Sequence, residues 1–212
     1  MKFITFKSWL NENTHNGVVV LFPGSFKPMT AAHIELIKRY ATHPDVKEVK
    51  VLIGPGIRNG IDQKVSFRIA HQLLMSFQNV SVEMAKYPSP ILTAYKYMET
   101  AEPGIYAMAS SKKGNEDEDY KRVINFVKNF QTDGKYYHTL PKGVSVIELP
   151  VNIEPVYYTD RTDENEGKPI SASILRRDVM NNDFYNFETN YPGYGEHTTR
   201  ELWKILKPII TE

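Results

Sequence analysis

The chain has 212 residues, 41% of them hydrophobic, with 26 Lys+Arg against 25 Asp+Glu and no cysteine. A chain of this size buries roughly 70% of the surface it exposes when unfolded, enough to fold without a disulfide or a structural metal. The missing thiols exclude cysteine catalysis, zinc–thiolate and iron–sulfur sites and any disulfide scaffold. A net charge of +1 lacks the basic excess of dedicated nucleic-acid binders, and no apolar run reaches the ~18 residues that span a bilayer; neither nucleic acid nor a membrane is expected as a partner.

Met1 to Leu10 carries Phe3, Ile4, Phe6, Trp9 and Leu10 but is interrupted by Lys7 and Ser8 and followed by Asn11, Glu12 and Asn13. That pattern lacks the unbroken apolar stretch and small-residue cleavage site of a secretory signal. Residues 1–16 therefore read as an amphipathic extension with its aromatic side packed on the body of the protein. From there the periodicity switches between short β-branched runs and longer segments of helical spacing, the pattern of an α/β fold with a mainly parallel sheet. Val18–Phe22 is the first expected strand, continuously apolar as a strand covered on both faces should be. Helix Ala32–Tyr40, strand Val49–Ile53, helix Ser66–Phe77, strand Val80–Met84, helix Ile91–Met98, strand Ile105–Met108, helix Asp119–Phe130 and strand Val144–Leu149 follow. Helices are expected at Ala172–Met180, Phe184–Asn190 and Glu196–Lys207. Gln131–Gly143, rich in Lys, Tyr and Gly, and the acidic Glu154–Lys168 read as surface loops or a hairpin. The chain thus divides into residues 1–16, an αβ core over 17–168 and a helical part over 169–212.

The first strand leads through Pro23-Gly24-Ser25-Phe26-Lys27-Pro28-Met29-Thr30-Ala31-Ala32-His33 into the first helix. In an open parallel sheet this loop lies at the carboxyl edge of the strands, where ligands bind. Gly24 permits close approach or positive φ, and Pro28 stiffens the turn. The helix start offers unpaired amides and the positive end of its dipole, a seat for phosphate. Thr30 and His33, three residues apart, can face one side of that turn.

These residues resemble the first signature of the nucleotidylyltransferase superfamily, Gly-x-Phe-x-Pro followed by His/Thr-x-Gly-His. Gly24, Ser25, Phe26 and Pro28 match, Thr30 takes the place of the first His/Thr, and His33 matches the last His. Ala32 departs from the motif's Gly, which lets the nucleotide approach closely. A second signature, Ile-Ser-Ser/Gly-Thr-x-Ile/Val-Arg, is matched by Ile170-Ser171-Ala172-Ser173-Ile174-Leu175-Arg176. By its chemistry Ser171 caps a helix, Ser173 adds a hydroxyl near the first amides, and Arg176 reaches forward with a permanently charged fork; Arg177 is its neighbour.

The resemblance implies a Rossmann-like five-stranded sheet in the order 3-2-1-4-5, and transfer of a nucleotidyl group, chiefly adenylyl, from a nucleoside triphosphate to a phosphorylated acceptor, with pyrophosphate released. It implies catalytic roles for His33, Thr30 and Arg176, with Thr30 and His33 on the α-phosphate and Ser171, Ser173 and Arg176 on the β- and γ-phosphates. Nucleotide contacts are implied for Gly24, Ser25, Phe26 and Lys27, and for Ser110 and Ser111 in the loop after the fourth strand. Arg58, Lys64 and Arg68 are acceptor or phosphate candidates, because similar enzymes place a phosphate-binding cation in that region. ATP is the expected donor, with Mg²⁺ carried mainly by substrate phosphates rather than by a carboxylate cage. Nicotinamide mononucleotide is the first-choice acceptor from the late serine-arginine signature; Thr30 resembles the phosphopantetheine adenylyltransferase branch, and a cytidylyltransferase acting on a phosphorylated alcohol stays open. A nucleotide-binding module without turnover is the alternative that Ala32 favours. A homo-oligomer and a cytoplasmic location are implied, and Phe6-Lys7-Ser8-Trp9-Leu10-Asn11-Glu12 resembles leader-like starts of tailed-phage proteins, which would make that cytoplasm a host's.

Overall fold

A computed structural model describes residues 17–110, 118–152 and 154–211. The amino-terminal extension and Ser111 lie outside the described residues. Strands β1 (Val18–Gly24), β2 (Val46–Ile53), β3 (Val80–Met84), β4 (Gly104–Met108) and β5 (Val144–Ile147) pair in parallel in the order β3-β2-β1-β4-β5. Helices α1 (Ala31–Ala41), α2 (Gln63–Leu74), α3 (Pro90–Met98) and α4 (Glu118–Asn129) connect them, and α5 (Ala172–Met180), α6 (Phe184–Glu188) and α7 (Glu196–Ile210) follow. The expected α/β architecture and strand order are those observed.

Side chains alternate across a strand, so Val18, Val20 and Phe22 of β1 enter one core while Leu21 enters the other. Val49, Val51 and Ile53 of β2 join the first core and Leu52 the second. The first core holds Ile34 and Ile37 of α1 and Ile69 and Leu73 of α2, together with Leu175, Val179, Leu202 and Leu206 from the carboxy-terminal helices. The second is closed by Ala94 and Met98 of α3 and Val123 and Phe126 of α4. Leu175, Val179, Leu202 and Leu206 are completely buried, and each such side chain contributes roughly 1.5–3 kcal/mol on leaving water. That burial fixes α5, and the residues it carries, against the sheet. Among the described residues no helix is long and apolar enough to cross a membrane.

Some expected boundaries move, for local reasons. Strand β1 continues past Phe22 to Gly24 because Gly24 still pairs with Ile53. Helix α2 starts at Gln63 rather than Ser66, because the Asp62 carboxylate accepts the Val65 amide at 2.8 Å and caps it. Glu154–Lys168, expected as a surface loop or a hairpin, closes as a hairpin that is exposed over most of its length but carries buried side chains. Tyr157 forms an antiparallel bridge with Pro169, and Tyr158 and Arg161 are buried. Two of its acidic residues, Asp163 and Glu166, are partners of the buried Arg161, which composition alone cannot distinguish from solvated ones.

Strand β1 lies between β2 and β4, and the winding of the sheet reverses there. The loops after β1 and β4 therefore part and leave a crevice at the carboxyl edge, the position where open α/β sheets bind ligands.

Candidate active site

The loop after β1 is shaped by Phe26, whose φ of 50° is the left-handed region that a bulky residue rarely enters. This folds the ring back over Gly24, where a Cβ would lie 2.5 Å from the ring, so only glycine fits. The Phe26 ring stands edge-on to Phe22 at 5.2 Å and to His33 at 5.1 Å. Phe26, expected to touch nucleotide, lines the cavity and also walls the imidazole.

His33 sits in the first turn of α1 and closes a capping arrangement with Thr30. The Thr30 amide donates to His33 Nδ1 at 3.1 Å, and the Thr30 hydroxyl lies 2.8 Å from the same nitrogen. An amide can only donate, so Nδ1 is an acceptor and the neutral ring carries its proton on Nε2. Burial against Phe22 and Phe26 pushes the His33 pKa down to about 4, which keeps the ring neutral at physiological pH. Thr30 is buried, and its hydroxyl is directed to His33 rather than into open space.

His33 lines a cavity of about 330 Å³ with Phe22, Gly24, Ser25, Phe26, Ala32 and Leu36 on one side and Met108, Ser110 and Arg122 on the other. The walls mix apolar side chains with polar groups, among them the imidazole, Ser25, Ser110 and Arg122. Ser110 is buried, its amide donating to the Tyr40 hydroxyl at 3.0 Å while that hydroxyl donates to the Leu149 carbonyl at 2.9 Å. Burial pushes the Tyr40 hydroxyl up to about 12, so it stays protonated and holds the loop after β4 to the end of α1. Sequence reasoning missed Tyr40 and Arg122. Tyr40 reads as one more apolar position on a helix, and Arg122 as a solvated charge, until the sheet order brings β4 beside β1.

The second signature meets the first loop directly. Ser171 caps α5, its hydroxyl accepting the Ile174 amide at 3.4 Å and lying 3.0 Å from the Ser173 hydroxyl. Arg176 is buried and donates to the Lys27 carbonyl, in the loop that ends at His33. Burial, and then the charge of Arg58, push its pKa down. Arg58 is exposed on a tight Arg58–Ile61 hairpin in which Asn59 and Gly60 have φ of 49° and 75°, the conformations that an Asn-Gly turn supplies. A Cβ on Gly60 would lie 2.4 Å from the Ile209 carbonyl, so the hairpin is seated tightly on α7.

The other candidates disperse. Lys27 directs its ammonium to the Ser66 hydroxyl at 3.1 Å and the Gly54 carbonyl at 3.4 Å, clamping the loop after β1 to the loop after β2. Burial pulls its pKa down, partly offset by Asp62. Lys64 and Arg68 line a separate groove with Lys204, Ile205 and Ile209 of α7. Arg177 pairs with Asp163 at 2.9 Å and Glu164 at 3.7 Å.

No family model matches the sequence, and no curated protein does either. The structure is similar to that of Plasmodium falciparum nicotinic acid mononucleotide adenylyltransferase complexed with APC, with a TM-score of 0.54 and 15% identity over 93% of this chain and 100% of that one. The two share a Rossmann-like α/β fold. A second structure of the same Plasmodium falciparum enzyme, complexed with NaAD, aligns with a TM-score of 0.48 and 12% identity over the same shares. In an open sheet of this order the switch-point crevice lies between the loops after β1 and β4. Here Ser25 of the first loop, His33 just beyond it and Ser110 of the second line the cavity together with Ile91 of α3 and Arg122 of α4.

Proposed function

We propose that this protein transfers a nucleotidyl group, with ATP as donor, to a phosphorylated small-molecule acceptor and releases pyrophosphate. The observation that carries the reading is Arg176. It is buried, has no carboxylate partner among the described residues, faces a second cation at Arg58, and is tied to the loop that carries His33. Buried charges are normally paired, and an anion brought by substrate completes this one.

In the reaction an acceptor phosphate oxygen forms a bond to the α-phosphorus in line, and the bond to the α–β bridging oxygen breaks, with pyrophosphate leaving. The acceptor oxygen is already ionised at neutral pH, so no general base is needed, and His33 suits this chemistry. Its Nε2–H donates to the α-phosphate and its growing charge without a change of protonation. Thr30 holds the ring in that tautomer. The first amides of α5, the Ser171 and Ser173 hydroxyls and Arg176 bind the β- and γ-phosphates. The groups around the cavity are donors, which fit phosphate oxygens. Magnesium would be held by the phosphate oxygens of the triphosphate and by water rather than by these side chains, and would supply charge neutralisation on the leaving group.

Nicotinamide mononucleotide heads the acceptors to be tried, followed by nicotinate mononucleotide, phosphopantetheine and phosphorylated alcohols. The Ala32 methyl on the cavity wall supports a second reading, a nucleotide-binding module without turnover. Pyrophosphate release, measured for each triphosphate against each acceptor, separates the two. Release with one pair supports transfer, and nucleotide binding with no release from any pair supports the module. His33→Ala should lower turnover by about 10²–10³-fold, the scale for one donor to a developing oxyanion. Unchanged turnover removes His33 from the mechanism.

A further inference from the structure

The segment from Val156 to Ile170 passes beneath the start of α5 and carries a closed set of hydrogen bonds. The Ser171 amide donates to the Tyr158 hydroxyl at 3.2 Å, and that hydroxyl donates to Asn190 Oδ1 at 2.7 Å. Asn190 Nδ2 donates to Asp178 Oδ2 at 2.9 Å. Arg161 completes the ring with two bonds to the Asp178 carboxylate, at 2.8 and 2.9 Å, and its guanidinium lies 4.5 Å from the centre of the Tyr158 ring. Helix α5 is thus gripped at Ser171, before its first turn, and again at Asp178, two turns on. Arg176 lies between the two grips.

The same group of residues reaches the other loop. Tyr158 and Ile170 pack on Ala31, the first residue of α1 and neighbour of Thr30. Tyr191, next to Asn190, donates its hydroxyl to the Met29 carbonyl at 2.9 Å. A buried ion pair gains little over apolar packing of the same volume, so stability alone does not account for this arrangement. What hydrogen bonds of fixed length add here is a fixed distance between two parts of the chain that are remote in sequence.

We propose that this segment, centred on Tyr158 and Arg161, is a positioning element that sets the Arg176 helix against the His33 loop, so that one polyphosphate meets both. The inference rests on the reading of Arg176 as a phosphate ligand. Tyr158, Arg161, Asn190 and Tyr191 act through Arg176 and His33 and are positioning residues, not catalytic ones. A displacement of 1 Å at a reacting centre costs on the order of 10²-fold in rate, so loosening a single link has a measurable effect.

The test is a double-mutant cycle in the full chain, read by calorimetric binding of inorganic tripolyphosphate. Tyr158→Phe keeps the ring and its stacking with Arg161 and removes only the hydroxyl. It should weaken tripolyphosphate binding about tenfold, and the same change in an Arg176→Lys background should add almost nothing, because coupled residues are not additive. In turnover assays kcat should fall while the KM of the acceptor holds. Additive losses, or wild-type affinity in Tyr158→Phe, overturn the proposal. Tyr191→Phe, which cuts only the link to Met29, replaces Tyr158→Phe if that variant does not fold, with the same expected coupling. Wild-type protein that binds tripolyphosphate no better than Arg176→Lys also overturns it. If binding depends on Arg176 but no triphosphate and acceptor yield pyrophosphate, the transfer reading falls, and the cycle alone decides the positioning proposal.

Discussion

Arg161 and Arg176 are buried alike, at 7% and 6% exposure, yet their surroundings are opposite. Arg161 spends its donors on Asp178, Asp163, the Asn186 carbonyl and Thr189. Burial acts to lower its pKa, but the bonds to Asp163 and Asp178 prevail and raise it. Among the described residues Arg176 has one hydrogen-bond partner, the Lys27 carbonyl, and burial and Arg58 lower its pKa. The first is a finished piece of structure. The second is a buried charge with no carboxylate partner among the described residues. Burial by itself thus says nothing of role, and the satisfaction of the buried group does.

The contrast is open to direct attack. Arg161→Met leaves the Asp178 carboxylate without its cation and should cost about 3–5 kcal/mol in urea unfolding. Arg176→Met removes a charge that has no carboxylate partner among the described residues and should shift stability by less than about 1 kcal/mol, while pyrophosphate release falls about 10²-fold. Equal losses of stability in the two variants would erase the distinction.

Gly24→Ala tests the loop that Arg176 meets. Its methyl collides with the Phe26 ring, and a cost of about 1–3 kcal/mol in thermal unfolding is expected from overpacking. Turnover should fall as well, since the displaced ring is the wall behind His33.

A further effect is one of pH. His33 has a folded pKa of about 4 against an ordinary 6.5, so between those values the unfolded chain binds a proton that the native chain does not. Stability should therefore fall as pH drops from about 6.5 to about 4 and gain no further His33 contribution below that. Asp163 acts in a lower window. The Arg161 hydrogen bond holds its carboxyl below the usual range, so its contribution is present above the ordinary carboxylate pKa and is lost as pH falls below it. Unfolding free energies from pH 7 to 4 should show a shallower slope in His33→Gln than in wild type.

The alternation of apolar strands and amphipathic helices was legible because both cores draw on it, Val20 and Phe22 facing one and Leu21 the other. His33 and Arg176 were legible as members of two short motifs. Tyr158 and Arg161 were not, since a segment rich in Asp, Glu and Asn looks the same whether its carboxylates face water or a buried guanidinium. Lys64 and Arg68 were read with Arg58 as one basic group, but a hairpin turn and a helical turn send them to different places, with Arg58 beside Arg176 and the other two in a groove on α7.

The sequence by itself determined the order of elements, the parallel sheet and the helix starts that carry the imidazole and the guanidinium, because hydrophobic period and turn chemistry are local properties of the chain. Only the tertiary structure decided that Arg176 reaches the Lys27 carbonyl while Arg177, one residue on, pairs with Asp163. Which neighbour faces the loop after β1 and which faces Asp163 depends on how α5 is rotated on the sheet. That rotation is set by Leu175 and Val179 entering the core and by Asp178 meeting Arg161, contacts between residues far apart in sequence.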